Sequence, residues 1–122
     1  MNEHQFSQGI AALYRTGYHL LQSGNPKRAA SLFRSMVTSA PEDERGWLAL
    51  GVCHEQVDQT DVALEIYRAA SFVLPAAARC ELACARLLRE RGDEDESNEF
   101  MGRAHEHADE ELAELLAQEA SP

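Results

Sequence analysis

A period of 34 residues runs through this chain and leaves few folds open to it. Shifted by that amount, the sequence lands on itself in register: Gly17 on Gly51, Ala29 on Ala63, Phe33 on Tyr67, Met36 on Ala70 and Pro41 on Pro75. A second shift carries Gly24 past Asp58 to Gly92, and Met36 through Ala70 to Ala104. Self-similarity at such a period marks a supersecondary unit stacked on copies of itself, none of which buries its apolar face alone.

The residue types at these positions suit antiparallel helix pairs. Helices that cross closely need small residues at the crossing, which Gly17/Gly51 and Ala29/Ala63 supply. A bulky residue one turn later, Phe33 or Tyr67, fills the space between neighbouring pairs. Pro41 and Pro75 close each unit, since proline cannot continue a helix. Ser23-Gly24-Asn25-Pro26 reads as a tight turn with proline at N1 of the next helix, and Arg91-Gly92-Asp93 repeats it. The pattern predicts an all-α chain with helix pairs at about 8–23 and 26–40, 43–57 and 60–74, and 77–91 and 94–107. A last helix at about 108–119 is expected to cap the array, with Leu112, Leu115 and Leu116 as its apolar stripe and Asp109, Glu110, Glu111 and Glu114 as its polar side.

Composition narrows the function classes. The 122 residues are 44% apolar and 26% charged, ordinary for one globular domain. No window reaches the ~18 consecutive apolar residues of a membrane span. The start, Met1-Asn2-Glu3-His4-Gln5-Phe6, has neither the basic nor the apolar run of a secretory signal, so a cytoplasmic location is expected. The net charge of −10 is concentrated: residues 93–122 hold eleven acids and one base, Arg103. That end repels nucleic acid and anionic membrane surfaces, so neither is expected as a partner. It either attracts a basic partner segment or serves as a solvated helical face. Cys53, Cys80 and Cys84 fit no disulfide framework or metal-finger spacing and read as small buried thiols.

Nothing in the sequence assembles a catalytic site. Cys53 and His54 are adjacent, so a helix points them about 100° apart; His105 and His107 diverge likewise. His105 and Asp109 are spaced as an exposed i,i+4 pair. Gly24 and Gly92 are turn glycines, not a phosphate loop. No enzyme activity, metal or other cofactor is expected.

The spacings resemble the tetratricopeptide repeat, with Trp47-Leu48-Ala49-Leu50-Gly51 reproducing its opening and Leu13-Tyr14-Arg15-Thr16-Gly17 a weaker copy. The third unit has drifted: Glu81 replaces the aromatic, Ala85 the glycine, Ser97 the second-helix alanine and Met101 the second aromatic. The resemblance implies one tetratricopeptide domain over 1–122, a superhelix of about three helix pairs plus a C-terminal capping helix. Its repeats fall at about 10–43, 44–77 and 78–108, with the last helix at 109–119. In this family the first helices line a concave groove through the second, fifth, ninth, twelfth and thirteenth positions. These are Ala11, Tyr14, Tyr18, Leu21 and Gln22 in unit one, and Arg45, Leu48, Val52, Glu55 and Gln56 in unit two. Unit three gives Arg79, Leu82, Arg86, Arg89 and Glu90. The candidate peptide-binding residues are therefore Tyr14, Tyr18, Leu21, Gln22, Leu48, Val52, Gln56, Leu82 and Arg86. Two tyrosines with aliphatic walls suit an extended peptide with apolar anchors. For Leu21, Leu48 and Leu82 the alternative is membership of the core.

Three stretches are similar to the class II chaperones of type III secretion systems, the LcrH/SycD type: Gln22–Phe33, the run Trp47–Gln56, and Ala83–Leu88 ending at Gly92. The resemblance, over about 8–108, implies a cytoplasmic bacterial chaperone. Such a protein holds a short apolar segment of a secreted, hydrophobic translocator in its groove and keeps that cargo soluble before export. Many of these chaperones form a homodimer through an N-terminal helix; here that helix is expected to be shortened or missing, and the dimer stays open. A general repeat scaffold or regulator, and a chaperone for needle components, are the alternatives.

Overall fold

The computed structural model describes residues 1–120, which form seven helices and no strand. They are α1 (Glu3–Gln22), α2 (Pro26–Ser39), α3 (Glu44–Gln56), α4 (Thr60–Val73), α5 (Ala78–Glu90), α6 (Glu94–His107) and α7 (Glu110–Ala120). Two compact units divide the chain, Met1–Ile66 and Tyr67–Pro122.

In the first unit, α1 packs on α2 and α2 on α3. The repeat-signature residues make the core: Ala29 and Phe33 are wholly buried, with Met36, Ala49, Leu50 and Cys53 around them. Gly17 is where α1 meets α2. A Cβ built there would lie 2.7 Å from the Phe33 ring, so only glycine admits the aromatic at this approach. Gly46 plays a related part that the repeat register does not announce: a Cβ there would stand 3.2 Å from Met36 and Val37.

Helix α1 starts about five residues earlier than the apolar periodicity suggests. Asn2 makes the difference. Its Oδ1 accepts the Gln5 amide at 2.8 Å, and Gln5 Oε1 accepts the Asn2 amide at 3.0 Å. This reciprocal capping box satisfies end donors and contributes about 1 kcal/mol, enough to extend a helix through polar residues.

One turn recurs three times at the period. Gly24 (φ +82°), Asp58 (φ +60°) and Gly92 (φ +88°) all take the left-handed conformation. The residue after each donates to the carbonyl five back: Asn25 to Leu20, Gln59 to His54, Asp93 to Leu88, at 2.8–2.9 Å. This closure needs φ > 0, which glycine adopts freely and aspartate only at a cost. Asp58→Gly is therefore expected to raise stability by about 0.5–1 kcal/mol, the relief of strain exceeding the added entropy of the unfolded chain. Urea unfolding followed by circular dichroism measures it; a lower midpoint would mean that the Asp58 side chain contributes more than its backbone costs.

The second unit keeps the repeat geometry despite its drift. Ser97, in place of alanine, is fully buried, and its hydroxyl donates to the Ala85 carbonyl at 2.7 Å. The hydroxyl that the drift introduces at the α5–α6 crossing is thus satisfied by the backbone of α5. Phe100, one position before Met101, is the aromatic that is buried. Glu81, at the place of Trp47, is also buried. His107 Nδ1 lies 2.7 Å from Glu81 Oε1, and the Ser71 hydroxyl donates to Oε2 at 3.1 Å. A buried carboxylate requires such partners.

Helix α7 is separate from α6, because Ala108 is extended (φ −61°, ψ 133°). The expected i,i+4 pairing of His105 with Asp109 is thereby lost. Asp109 instead caps α7, accepting the Leu112 amide at 2.8 Å, and binds Arg79 at 2.9 Å. Leu112 and Leu116 are buried against Ala78. Leu115, expected in the same stripe, is 51% exposed, since one face of an eleven-residue helix takes only one of two adjacent leucines.

The three cysteines are buried. Burial pushes the Cys53 thiol to about 11 and the Cys84 thiol to about 12.

Candidate peptide-binding face

In the Met1–Ile66 unit the candidate residues come from α1 and α3, which touch along part of their length. Tyr14 and Tyr18, one turn apart on α1, have ring centroids 5.5 Å apart and planes tilted by 51°. Tyr14 also meets Phe33 at 6.2 Å, so the ledge is anchored in the core. The Arg45 guanidinium sits 4.8 Å from the Tyr14 centroid. Arg45 is itself gripped by Asp43 through two bonds of 3.0 and 2.8 Å, and Asp43 caps α3 by accepting the Arg45 amide at 3.1 Å.

This arrangement has an electrostatic signature. Burial holds the Tyr14 phenol above its ordinary range, with Tyr18 adding to the shift and Arg45 opposing it. The side-chain bonds from Arg45 hold the Asp43 carboxyl below the usual carboxylate range. The ledge therefore presents aromatic faces beside an arginine whose charge is matched by Asp43, a combination suited to apolar groups and, through the guanidinium N–H groups that Asp43 leaves over, to backbone carbonyls.

The other candidates separate by burial. Tyr18 is 43% exposed, while Gln22 and Gln56 lie open at the surface. Leu48 and Val52 are half-buried, and Val52 packs on the core of this unit. Leu21 is a core residue, which was its alternative from the sequence.

In the Tyr67–Pro122 unit, Leu82 is half-buried and packs with Ala78, Leu112 and Leu116. Arg79 binds Asp109 at 2.9 Å and approaches Glu111 at 3.6 Å. The second and fifth positions of the third repeat thus hold α7. Arg86 stays exposed, 3.8 Å from Glu90.

Arg45 was legible only as one groove position among many; its role emerges because Asp43, two residues earlier, fixes its direction. Among the described residues, no group of three or more His, Cys, Asp or Glu side chains is placed to hold a metal ion, and no helix is long and apolar enough to cross a membrane.

Helix pairs of this kind are those of tetratricopeptide-type repeat proteins, and the solved structures that match are of that class. The translocator chaperone SycD of Yersinia enterocolitica matches with a TM-score of 0.80 at 24% identity, over 92% of this chain and 85% of that one. SycD in complex with a peptide of the translocator YopD matches with a TM-score of 0.75, also at 24% identity, over 89% and 85%. PcrH from Pseudomonas aeruginosa matches with a TM-score of 0.71 at 23% identity, over 88% and 79%; PcrH also occurs in complex with the chaperone binding region of PopB. At these identities the likeness is one of fold. No protein-family pattern matches the chain, and no curated protein does.

Proposed function

We propose that this chain is a cytoplasmic bacterial type III secretion chaperone, without catalytic activity, that holds an extended apolar segment of a translocator-type cargo before export. The observation that carries this reading is the Tyr14/Tyr18 ledge, core-anchored at one ring and open at the other, in a fold shared with chaperones that bind translocator peptides. A rigid aromatic anchor offers a large apolar contact at low entropic cost. Leu48 and Val52 on α3 supply the aliphatic wall, and Arg45 a donor for peptide carbonyls.

The test is capture of cargo from the native cytosol, with peptide mapping of the bound segment, followed by affinity measurement on that segment. Tyr18→Ala is the cleanest variant, because Val52 also supports the core. It is expected to weaken binding roughly 10- to 30-fold, the usual effect of losing one aromatic anchor, with an unchanged circular dichroism spectrum. An undiminished affinity would remove the ledge from the binding face.

One observation favours a second reading, a scaffold for folded partners. Phe72 on α4 is 91% exposed, beside the half-exposed Val73. Capture of folded soluble proteins alone, lost on Phe72→Ser, would establish that reading in place of the first.

A further inference from the structure

The geometry points to a second binding site in the Met1–Ile66 unit, a cavity that receives the carboxylates of an acidic peptide segment. The cavity is about 360 Å³ and is formed by α2, the end of α3 and the turn that follows it. Lys27, Ser31 and Arg34 line it from one face of α2, at the i, i+4, i+7 spacing that aligns side chains along a helix. His54 and Gln59 line it from the opposite side, joined by a 2.7 Å bond between His54 Nδ1 and Gln59 Oε1. Ala30 and Val57 add apolar wall.

The charge of this lining is one-sided. Lys27 and Arg34 are cations, and no carboxylate is among the lining residues, in a chain of net charge −10. Among the described residues neither cation meets a carboxylate within ion-pair distance. A second hollow of about 240 Å³ shares Pro26, Lys27 and Val57 with the first and adds Arg28. Together the two adjoining hollows are lined by three cations, Lys27, Arg28 and Arg34.

Size and shape choose the occupant. The first hollow is over ten times the ~30 Å³ share of a water molecule, roomy for a lone inorganic anion. Two adjoining hollows with apolar wall match successive Glu or Asp side chains, their methylenes on Val57 and their carboxylates on the cations. Single-stranded nucleic acid is disfavoured because no Phe, Tyr or Trp lines either hollow to stack a base. The site uses none of the Tyr14/Tyr18 ledge and does not depend on the chaperone reading.

The experiment uses the full chain and a fluorescein-labelled peptide of sequence Glu-Glu-Leu-Glu-Glu-Leu, with binding read by fluorescence anisotropy at low salt. The peptide is expected to bind, and Lys27→Ala combined with Arg34→Ala to weaken it at least about tenfold. Arg15→Ala, which removes an exposed cation outside the cavity, should leave binding within twofold. No binding to the parent protein, an equal loss with Arg15→Ala, or retention by the double variant would each overturn the proposal. So would inorganic phosphate displacing the peptide at comparable concentration, which would make the cavity a simple anion site. Circular dichroism of the double variant must match the parent; if it does not, Lys27→Gln with Arg34→Gln is measured instead, against the same criteria.

Discussion

Replacement of His107 by alanine is expected to destabilise the Tyr67–Pro122 unit by about 2–3 kcal/mol. The Glu81 side chain is 2% exposed and is held by two partners, the imidazole at 2.7 Å and the Ser71 hydroxyl at 3.1 Å. Removing one member of a buried pair strands the other, at a typical cost of ~3–5 kcal/mol. Here His107 is 29% exposed, so water can enter the vacated space and the loss falls toward or just below the low end. The converse experiment sharpens the test. A double variant, Glu81→Leu with His107→Leu, removes both polar groups and is expected to recover most of the loss, because apolar replacement of a buried pair is often neutral or favourable. Urea unfolding of the three proteins measures both effects. A single variant within 0.5 kcal/mol of the parent, by the ~0.5 kcal/mol scale of neutral surface changes, would show that the pair does not hold this unit together.

The second large effect is a difference between two identical substitutions in one helix. Gly9 and Gly17 both lie inside α1. By helix propensity alone, each change to alanine gains up to about 1 kcal/mol. At Gly9 nothing stands within 4 Å of the new Cβ, so that gain is expected in full or nearly so. At Gly17 the Cβ would overlap the Phe33 ring at 2.7 Å, and that ring is wholly buried. Overpacking of this kind costs ~1–3 kcal/mol and exceeds the propensity gain. Gly9→Ala should therefore raise the unfolding midpoint, while Gly17→Ala lowers it by the equivalent of up to about 2 kcal/mol. Two shifts of the same sign would refute the close α1–α2 approach.

The repeat register made much of this fold readable, because each signature residue has a local physical reason. Pro26 starts α2, Gly24 and Gly92 take φ > 0, and Gly17 faces Phe33. What escaped depends on partners distant in sequence. Glu81 reads only as a replacement for an aromatic until His107, 26 residues later, is brought beside it. Leu115 and Leu116 compete for one face, and periodicity alone cannot choose between them. The early start of α1 was available in principle, since Asn2 and Gln5 stand at capping-box spacing; the apolar pattern, which begins later, obscured it. For the candidate face, sequence spacing puts Tyr14 and Tyr18 on one side of α1 and leaves Leu82 open between groove and core; its packing on Leu112 and Leu116 of α7 depends on residues some 30 positions away.

The buried thiols carry a consequence for measurement. Burial holds both thiols well above the ordinary cysteine range, so neither Cys53 nor Cys84 offers much thiolate while it stays buried. Alkylation then proceeds through rare excursions that let reagent and water in. Cys53 lies in the first unit and Cys84 in the second. The unmodified protein thus carries an intrinsic clock in each half, and the ratio of their labelling rates, read by mass spectrometry, tells which half breathes more often.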